Sequence, residues 1–299
     1  MEKVLKSYLE YLCGHTNVAE NVPLSTKTSF KIGGPARFFV MVTTKESLIR
    51  LISALRYINQ KYFVIGNGTN ILADDNGYDG VVIKLGFKQI IENQCFIYAD
   101  AGAILKSVCN TARKQGLSGL EWACGIPGTV GGAVYMNAGA HGGQISDVVT
   151  MVDVLIDGEL KSLDNKQLNF AHRKSIFHTK PNWVILGAYF YLTHSTMENV
   201  KNKENQYLAH RHETQPTEPS AGSIFKRPRA ELIPAKAIDD LGLKGTRIGG
   251  ASISRKHAGF IINEGGATSK DVCELIKVIR SAVYKKHKVK LELEIKNLK

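Results

Sequence analysis

The sequence predicts an α/β or α+β fold of two or three domains. Short β-like runs alternate with apolar stretches of helical period, and 299 residues at 43% hydrophobic can bury a large core. A nearly uncharged, glycine-rich stretch from Glu121 to Gly143 interrupts that alternation and organises it.

The elements follow in order. Val4, Leu5, Tyr8, Leu9 and Leu12 predict a short amphipathic helix within residues 1–20. A polar segment from Leu24 leads through Gly33-Gly34-Pro35 into a strand over 36–42. Thr43 with Glu46 reads as a capping box for a helix carrying Leu48, Leu51, Ile52, Leu55 and Ile58 and ending near Asn59. Strands are expected over Tyr62–Ile65, 80–85 and 95–99, then a helix over 101–115 with Gly116 as its C-terminal cap. Strands over 148–156 and 184–192 close the domain near Thr193. Polar residues 195–203 read as a boundary, followed by a helix to about His212 and a stiff Gln215–Pro219 loop. Pro234 starts a short helix that stops at Gly242. Thr268 with Asp271 caps a longer helix whose core face is Val272, Leu275, Ile276, Ile279 and Val283. Alternation over 289–296 predicts a last strand, with Leu291, Leu293 and Ile295 on one face and Glu292 and Glu294 on the other.

Composition narrows the function. No apolar run approaches the roughly 20 residues that span a bilayer, and the first residues lack a signal-peptide core. The expectation is a cytoplasmic protein without membrane partners. Cys13, Cys95, Cys109, Cys124 and Cys273 are scattered without C-x-x-C spacing, which disfavours disulfides and zinc, and no metal-ligand cluster is visible. The formal charge of +12 admits two readings. Nucleic acid has only the 285–290 basic run to recommend it, and a solvated helix end explains that run better. Small polyanionic ligands are also served by a positive field.

In the organising stretch, Gly125, Gly128, Gly131, Gly132, Gly139, Gly142 and Gly143 lie among apolar residues. Glycine lets a ligand reach the peptide N–H groups, and consecutive N–H groups form a nest for an anion such as a pyrophosphate. Gly66-Asn67-Gly68-Thr69-Asn70 lacks the third glycine of the dinucleotide fingerprint, and no Walker lysine is present. Either turn alone reads as structural; together, with Asn67, Asn70 and Asn137 beside them, they read as a cofactor cradle. Arg173 lies in a basic cluster between Phe170 and Phe177, Ser223 follows Ala221-Gly222 with Lys226 nearby, and Glu294 lies on the last strand. Singly, each reads as an ordinary surface arginine, turn serine or edge glutamate.

Gly66–Asn70, Gly125–Gly132, Met136-Asn137-Ala138-Gly139, Arg173-x-Ser175, Gly222–Lys226 and Leu291-Glu292-x-Glu294 together resemble the UDP-N-acetylenolpyruvoylglucosamine reductase family. The resemblance runs from about Leu24 to the last strand. The spacing from Arg173 to Gln215 resembles the shorter, type II form, without an inserted tyrosine loop. It implies an α+β flavoprotein of the vanillyl-alcohol-oxidase/PCMH type. An N-terminal segment, 1–20, would precede an FAD-binding region over 21–194, in subdomains of about 21–85 and 86–194. A substrate-binding domain would cover 195–299.

The resemblance also implies NADPH as hydride donor, hydride delivery from FAD N5 to the enolpyruvyl ether of UDP-N-acetylglucosamine, and UDP-N-acetylmuramate as product in peptidoglycan synthesis. Catalytic roles carry over to Arg173, Ser223 as proton donor, and Glu294. Cofactor contacts carry over to Gly66, Asn67, Gly68, Thr69, Asn70, Gly125, Ile126, Pro127, Gly128, Thr129, Gly132, Ala133 and Asn137. Substrate contacts carry over to Arg211, Lys226 and Tyr135. A monomer without nucleic-acid partners is expected. His172 stands where the family commonly has tyrosine, His141 near a frequent aromatic, and Arg227 in place of a common asparagine. The competing readings are another FAD oxidoreductase of this fold, such as a sugar or alcohol oxidase, and a basic nucleic-acid-binding protein.

Overall fold

The computed structural model describes residues 2–228 and 231–299. Its helices are α1 (Glu2–Cys13), α2 (Lys45–Tyr57), α3 (Leu105–Lys114), α4 (Val130–Tyr135), α5 (Met197–Thr214), α6 (Pro234–Asp240) and α7 (Ser269–His287). The chain forms two compact units: Met1–Glu20, Phe38–Asn67 and Gly80–Arg211 in the first, and Asn21–Arg37, Gly68–Asp79 and His212–Lys299 in the second. The division therefore does not fall at the expected boundary near 194. Residues 195–211 stay with the first unit, and two early segments join the second.

In the first unit, Tyr62–Ile65 pairs in parallel with 81–84, and α2 packs its buried Leu48, Leu51, Ile52 and Leu55 into the same core as Phe38, Val40, Val81 and Ile83. The cap of α2 is Thr44, not Thr43. Thr44 is extended at φ −132°, and its hydroxyl oxygen accepts the Ser47 N–H at 3.1 Å. Only Thr43 has a glutamate three residues on, but either threonine is an acceptable N-cap, and backbone geometry selects Thr44.

A second sheet has the spatial order Glu159–Asp164, Val149–Ile156, Val184–Tyr191, Phe96–Asp100, Ile90–Asn93, antiparallel throughout. Its α3 partner buries Leu105, Val108, Cys109 and Ala112, and Gly116 at φ +63° follows the helix end as expected. Asp100, at the end of its strand, is buried and fully engaged. Its carboxylate accepts from the Tyr98 hydroxyl at 2.9 Å and the Gln89 N–H at 2.7 Å, and lies 3.2 Å from Lys45 Nζ. The segment read as a polar boundary, 195–203, mostly belongs to α5. Its two buried side chains, Val200 and Glu204, are too few to show as an apolar stripe.

The second unit holds a four-stranded antiparallel sheet in the order Ser220–Ser223, Phe260–Asn263, Ala251–Ile253, Arg247–Ile248. The long α7 buries Val272, Leu275, Ile276, Ile279 and Val283, with the Thr268/Asp271 capping box in place. Asp75 reinforces that helix start, accepting from the Ser269 N–H at 2.7 Å and the Ser269 hydroxyl at 2.8 Å. The early segments are tied in by Ser29 Oγ to the Ser220 carbonyl at 2.6 Å and Asn263 Nδ2 to the Phe30 carbonyl at 3.0 Å.

The chain end differs from the single strand expected over 289–296. Only Lys296–Leu298 forms a strand, parallel to Ile71–Ala73, while Leu293 makes an isolated bridge to Phe225. Alternation persists because Leu291 and Ile295 are buried, but the segment changes partners midway, so no continuous ladder forms.

Gly187 lies beneath the Tyr98 ring: a Cβ built there would stand 2.3 Å from the phenol oxygen and 2.7 Å from Cζ. Gly187→Ala is expected to displace Tyr98 from Asp100 and destabilise the protein by about 1–3 kcal/mol, read as a lower denaturation midpoint in urea.

Candidate active site

The two glycine-rich turns meet within the first unit. A Cβ on Gly66 would lie 2.7 Å from Thr129 Oγ1, so the turns touch through backbone and one hydroxyl. Lys84 holds the first turn, donating from Nζ to the Gly66 carbonyl and to Asn67 Oδ1 at 2.9 Å. Gly68, Thr69 and Asn70 belong to the second unit. There Gly68, at φ +63°, packs against the backbone of Lys27 and Thr28, and Asn70 Nδ2 donates to the Glu294 carbonyl at 3.1 Å.

The second turn is fixed from one side. The N–H groups of Val130 and Gly131 donate to the carbonyls of Ala103 and Ala101, both at 2.9 Å, and the Leu105 N–H donates to the Gly128 carbonyl at 3.1 Å. Thr129 caps α4 by accepting the Gly132 N–H at 3.3 Å, while Ala133 is buried in the helix. Among the described residues, no backbone carbonyl takes the N–H of Gly128 or Thr129. Two adjacent unspent donors in a glycine turn suit a pyrophosphate oxygen. Gly132 is exposed, so a ligand can come close there. These features fit FAD, with Ile126 half-buried and Pro127 exposed along the same turn.

Asn137 has a different part from the one its position suggests. It is buried at φ +41°, donating from Nδ2 to the Ala171 carbonyl at 3.1 Å and accepting the Ser146 N–H at Oδ1. Its side chain thus secures the turn bearing Arg173. Ala171 and Lys174 exchange both backbone hydrogen bonds, placing His172 and Arg173 at the tip of a tight hairpin with Arg173 at φ +55°. Buried Ser175 then donates to the Tyr135 carbonyl at 2.6 Å, and the Tyr135 ring lies 4.3 Å from that of His178. Arg173 and Tyr135 are therefore carried by one connected piece of structure.

Arg211 ends the first unit. Its Cδ would lie 3.0 Å from a Cβ on Gly125, which gives that glycine a packing reason. Burial holds its guanidinium below the usual arginine range. Burial also pushes the neighbouring Cys124 thiol up to about 11, so it stays protonated near neutral pH and is no nucleophile.

In the second unit, backbone pairing joins the segments that carry Ser223 and Glu294. The Glu294 N–H donates to the Ile224 carbonyl at 2.8 Å, and the Lys226 N–H to the Glu292 carbonyl at 2.9 Å. Arg280 braces this pairing by donating to the Leu291 carbonyl at 3.0 Å. Gly222, at φ +76°, has open space where a Cβ would stand, so the half-buried Ser223 adjoins room for a ligand. Lys226 Nζ lies 3.6 Å from Glu292. Lys296 was not singled out from the sequence. It is half-buried, and burial and Lys226 together hold its ammonium below the usual lysine range. Its only sequence signal is its position two residues after Glu294. Among the described residues, no group of three or more His, Cys, Asp or Glu side chains could hold a metal ion.

An FAD binding domain model matches residues 36–164, and a model of the UDP-N-acetylenolpyruvoylglucosamine reductase C-terminal domain matches 215–298. A relative named UDP-N-acetylenolpyruvoylglucosamine reductase from Pseudothermotoga lettingae is 47% identical over 91% of this chain and 95% of its own length. Another, from Caldanaerobacter subterraneus, is 42% identical over 99% and 98%. The crystal structure of UDP-N-acetylenolpyruvylglucosamine reductase from Thermus caldophilus superposes with a TM-score of 0.82 at 35% identity, covering 94% of this chain and 98% of that one.

Gly66→Ala is expected to push the two turns apart and weaken FAD binding at least about tenfold, since a Cβ so close to a hydroxyl forces a shift. Flavin retained after gel filtration reads the loss, and Gly66→Ala combined with Thr129→Ala should recover part of it.

Proposed function

We infer the roles below for a chain that belongs to the UDP-N-acetylenolpyruvoylglucosamine reductase family and is an FAD-dependent oxidoreductase of peptidoglycan precursor synthesis. Bound FAD supplies the hydride that reduces the enolpyruvyl ether of UDP-N-acetylglucosamine, giving UDP-N-acetylmuramate, and NADPH is the hydride donor that recharges it. The residues proposed to hold FAD are Gly66, Asn67, Gly68, Thr69, Asn70, Gly125, Ile126, Pro127, Gly128, Thr129, Gly132 and Ala133, with Asn137 acting by securing the adjoining turn.

Reduction of an enolpyruvate drives negative charge into its carboxylate, and fixed cationic donors lower that barrier most. Arg173 is suited to a bidentate pair with the carboxylate, from a hairpin held by Asn137 and Ser175. Ser223 donates the proton to the carbon next to the reduced one. A serine hydroxyl is a very weak acid, so it acts only at hydrogen-bond distance from a developing carbanion in a desolvated setting. Glu294, protonated, stabilises the enolate-like charge. The observation that carries this reading is the pairing of Glu294 with Ile224, which brings the carboxyl-bearing segment beside Ser223. An alcohol or sugar oxidase has no use for that combination. Arg211, Lys226 and Tyr135 are proposed substrate contacts.

The +12 charge is read as steering for small polyanionic substrates, not nucleic acid. No helix among the described residues is long and apolar enough to cross a membrane. A cytoplasmic monomer is proposed.

The test is an anaerobic visible spectrum. NADPH should bleach the flavin bands, and the enolpyruvyl substrate should restore them; bands that stay bleached until oxygen enters would overturn the substrate assignment. Ser223→Ala should leave bleaching by NADPH intact and slow restoration by about 10²–10⁴-fold, the usual span for a lost acid catalyst. Glu294→Gln should change the pH dependence of restoration, and an unaltered profile would remove its protonated role.

A further inference from the structure

We propose that His141, with His210 and Arg211 beside it, forms a clamp for the phosphoryl groups of the nucleotide substrate, so that binding takes up a proton. The proposal deepens the reading above, because it rests on Arg211 as a nucleotide contact.

The three side chains gather on one face of the first unit. The strands Gly139–Ala140 and Gly143–Gln144 form a two-residue hairpin whose tip is His141-Gly142, at φ +51° and +85°. This conformation normally calls for Asn-Gly, and histidine is among the few other side chains that tolerate it. The His141 ring lies flat on Tyr207 of α5, with centroids 4.3 Å apart and planes 14° apart. His210, one helical turn on, meets it edge-on at 5.4 Å. Arg211 follows directly, lying against Gly125 of the glycine turn.

Charge makes this grouping informative. Arg211 is half-buried and desolvated, yet has no hydrogen bond or ion pair among the described residues. Elsewhere the protein satisfies such cations: Arg113 is paired with buried Glu204 at 2.6 Å. A desolvated guanidinium beside two imidazoles lacks a counter-ion, and a diphosphate oxygen would supply one.

The groups acting on His141 confirm the sign. Burial, then His210 and Arg211, hold its imidazole below the usual histidine range, and no carboxylate opposes them. The nearby Asp147 is spent on the Gln144 N–H and side-chain amide. Free His141 therefore resists protonation, and a bound polyanion reverses this by favouring imidazolium. Protons are taken up on binding at pH values between the free and the bound pKa. Affinity consequently falls as pH rises through that window.

Binding of UDP, with uridine as the phosphate-free control, to the FAD-loaded enzyme tests this by calorimetry at pH 6 and pH 8.5, in two buffers of different ionisation enthalpy. The expected result for UDP is proton uptake at pH 6 and a Kd lower there by about tenfold, the worth of one charge-assisted hydrogen bond. Uridine should show neither. His141→Asn, which suits the left-handed backbone, should remove the pH dependence, and His210→Gln, which takes away a group acting on His141, should weaken it. Titration of flavin bleaching against NADPH then tells whether its phosphates use the same clamp, through a parallel pH effect on KM that the variants remove. UDP binding with unchanged affinity at both pH values, or uridine sharing the dependence, would overturn the clamp while leaving the substrate assignment intact. Failure of UDP to bind at all would overturn both.

Discussion

The first unit depends on a backbone splice between residues 101–105 and 128–131. Ala101 and Ala103 accept from Gly131 and Val130, and Gly128 accepts from Leu105. The splice is tight enough that a Cβ on Gly131 would lie 3.0 Å from that of Ala101. It consumes the donors on one side of the turn and leaves those of Gly128 and Thr129 for a ligand. Directly upstream, Asp100 is held by Tyr98, Gln89 and Lys45, so the splice inherits the rigidity of a sheet strand. Small residues at 101, 103 and 131 thus serve close approach between two backbones, and the proposed FAD contacts of the turn rest on that approach.

The second unit places its chemistry by the same economy. The segments bearing Ser223 and Glu294 are held together by main-chain bonds from 294 to 224 and from 226 to 292. The Arg280 bond to Leu291 and the parallel pairing of 296–298 with 71–73 fix the segment at both ends. The missing continuous ladder at the chain end therefore has a use: the segment changes partners on either side of Glu294.

Legibility in the sequence tracks how local each cause is. Tyr62–Ile65 and the α7 capping box are readable because alternation and capping act over a few residues. The choice of Thr44 over Thr43 depends on a backbone angle. The helix beginning at Met197 hides behind polar residues, because what it buries includes Glu204, whose partner Arg113 is remote in sequence. At the site, the glycine turns are legible as a pair, but Lys84 and the internal use of Asn137 are not. Both depend on hydrogen bonds to residues remote in the chain, Gly66 and Asn67 for Lys84, Ala171 for Asn137. Arg173 and Glu294 looked ordinary in isolation, and only resemblance to a family raised them above their neighbours.

A single helix shows how structural and ligand-binding charges differ. On α5, Glu204 and Arg211 are seven residues apart, two turns along one face. Glu204 is buried and matched by Arg113, so its charge is settled within the fold. Arg211 is desolvated and unmatched. Leaving a half-buried cation unmatched costs free energy that packing alone does not return, and the proposed nucleotide contact would offset it. The excess of 39 Lys and Arg over 27 Asp and Glu has the same meaning on the scale of the chain. Under the proposed function, a positive field would draw in diphosphate ligands before contact, and Arg211, lying against Gly125, is the proposed place for that charge to rest.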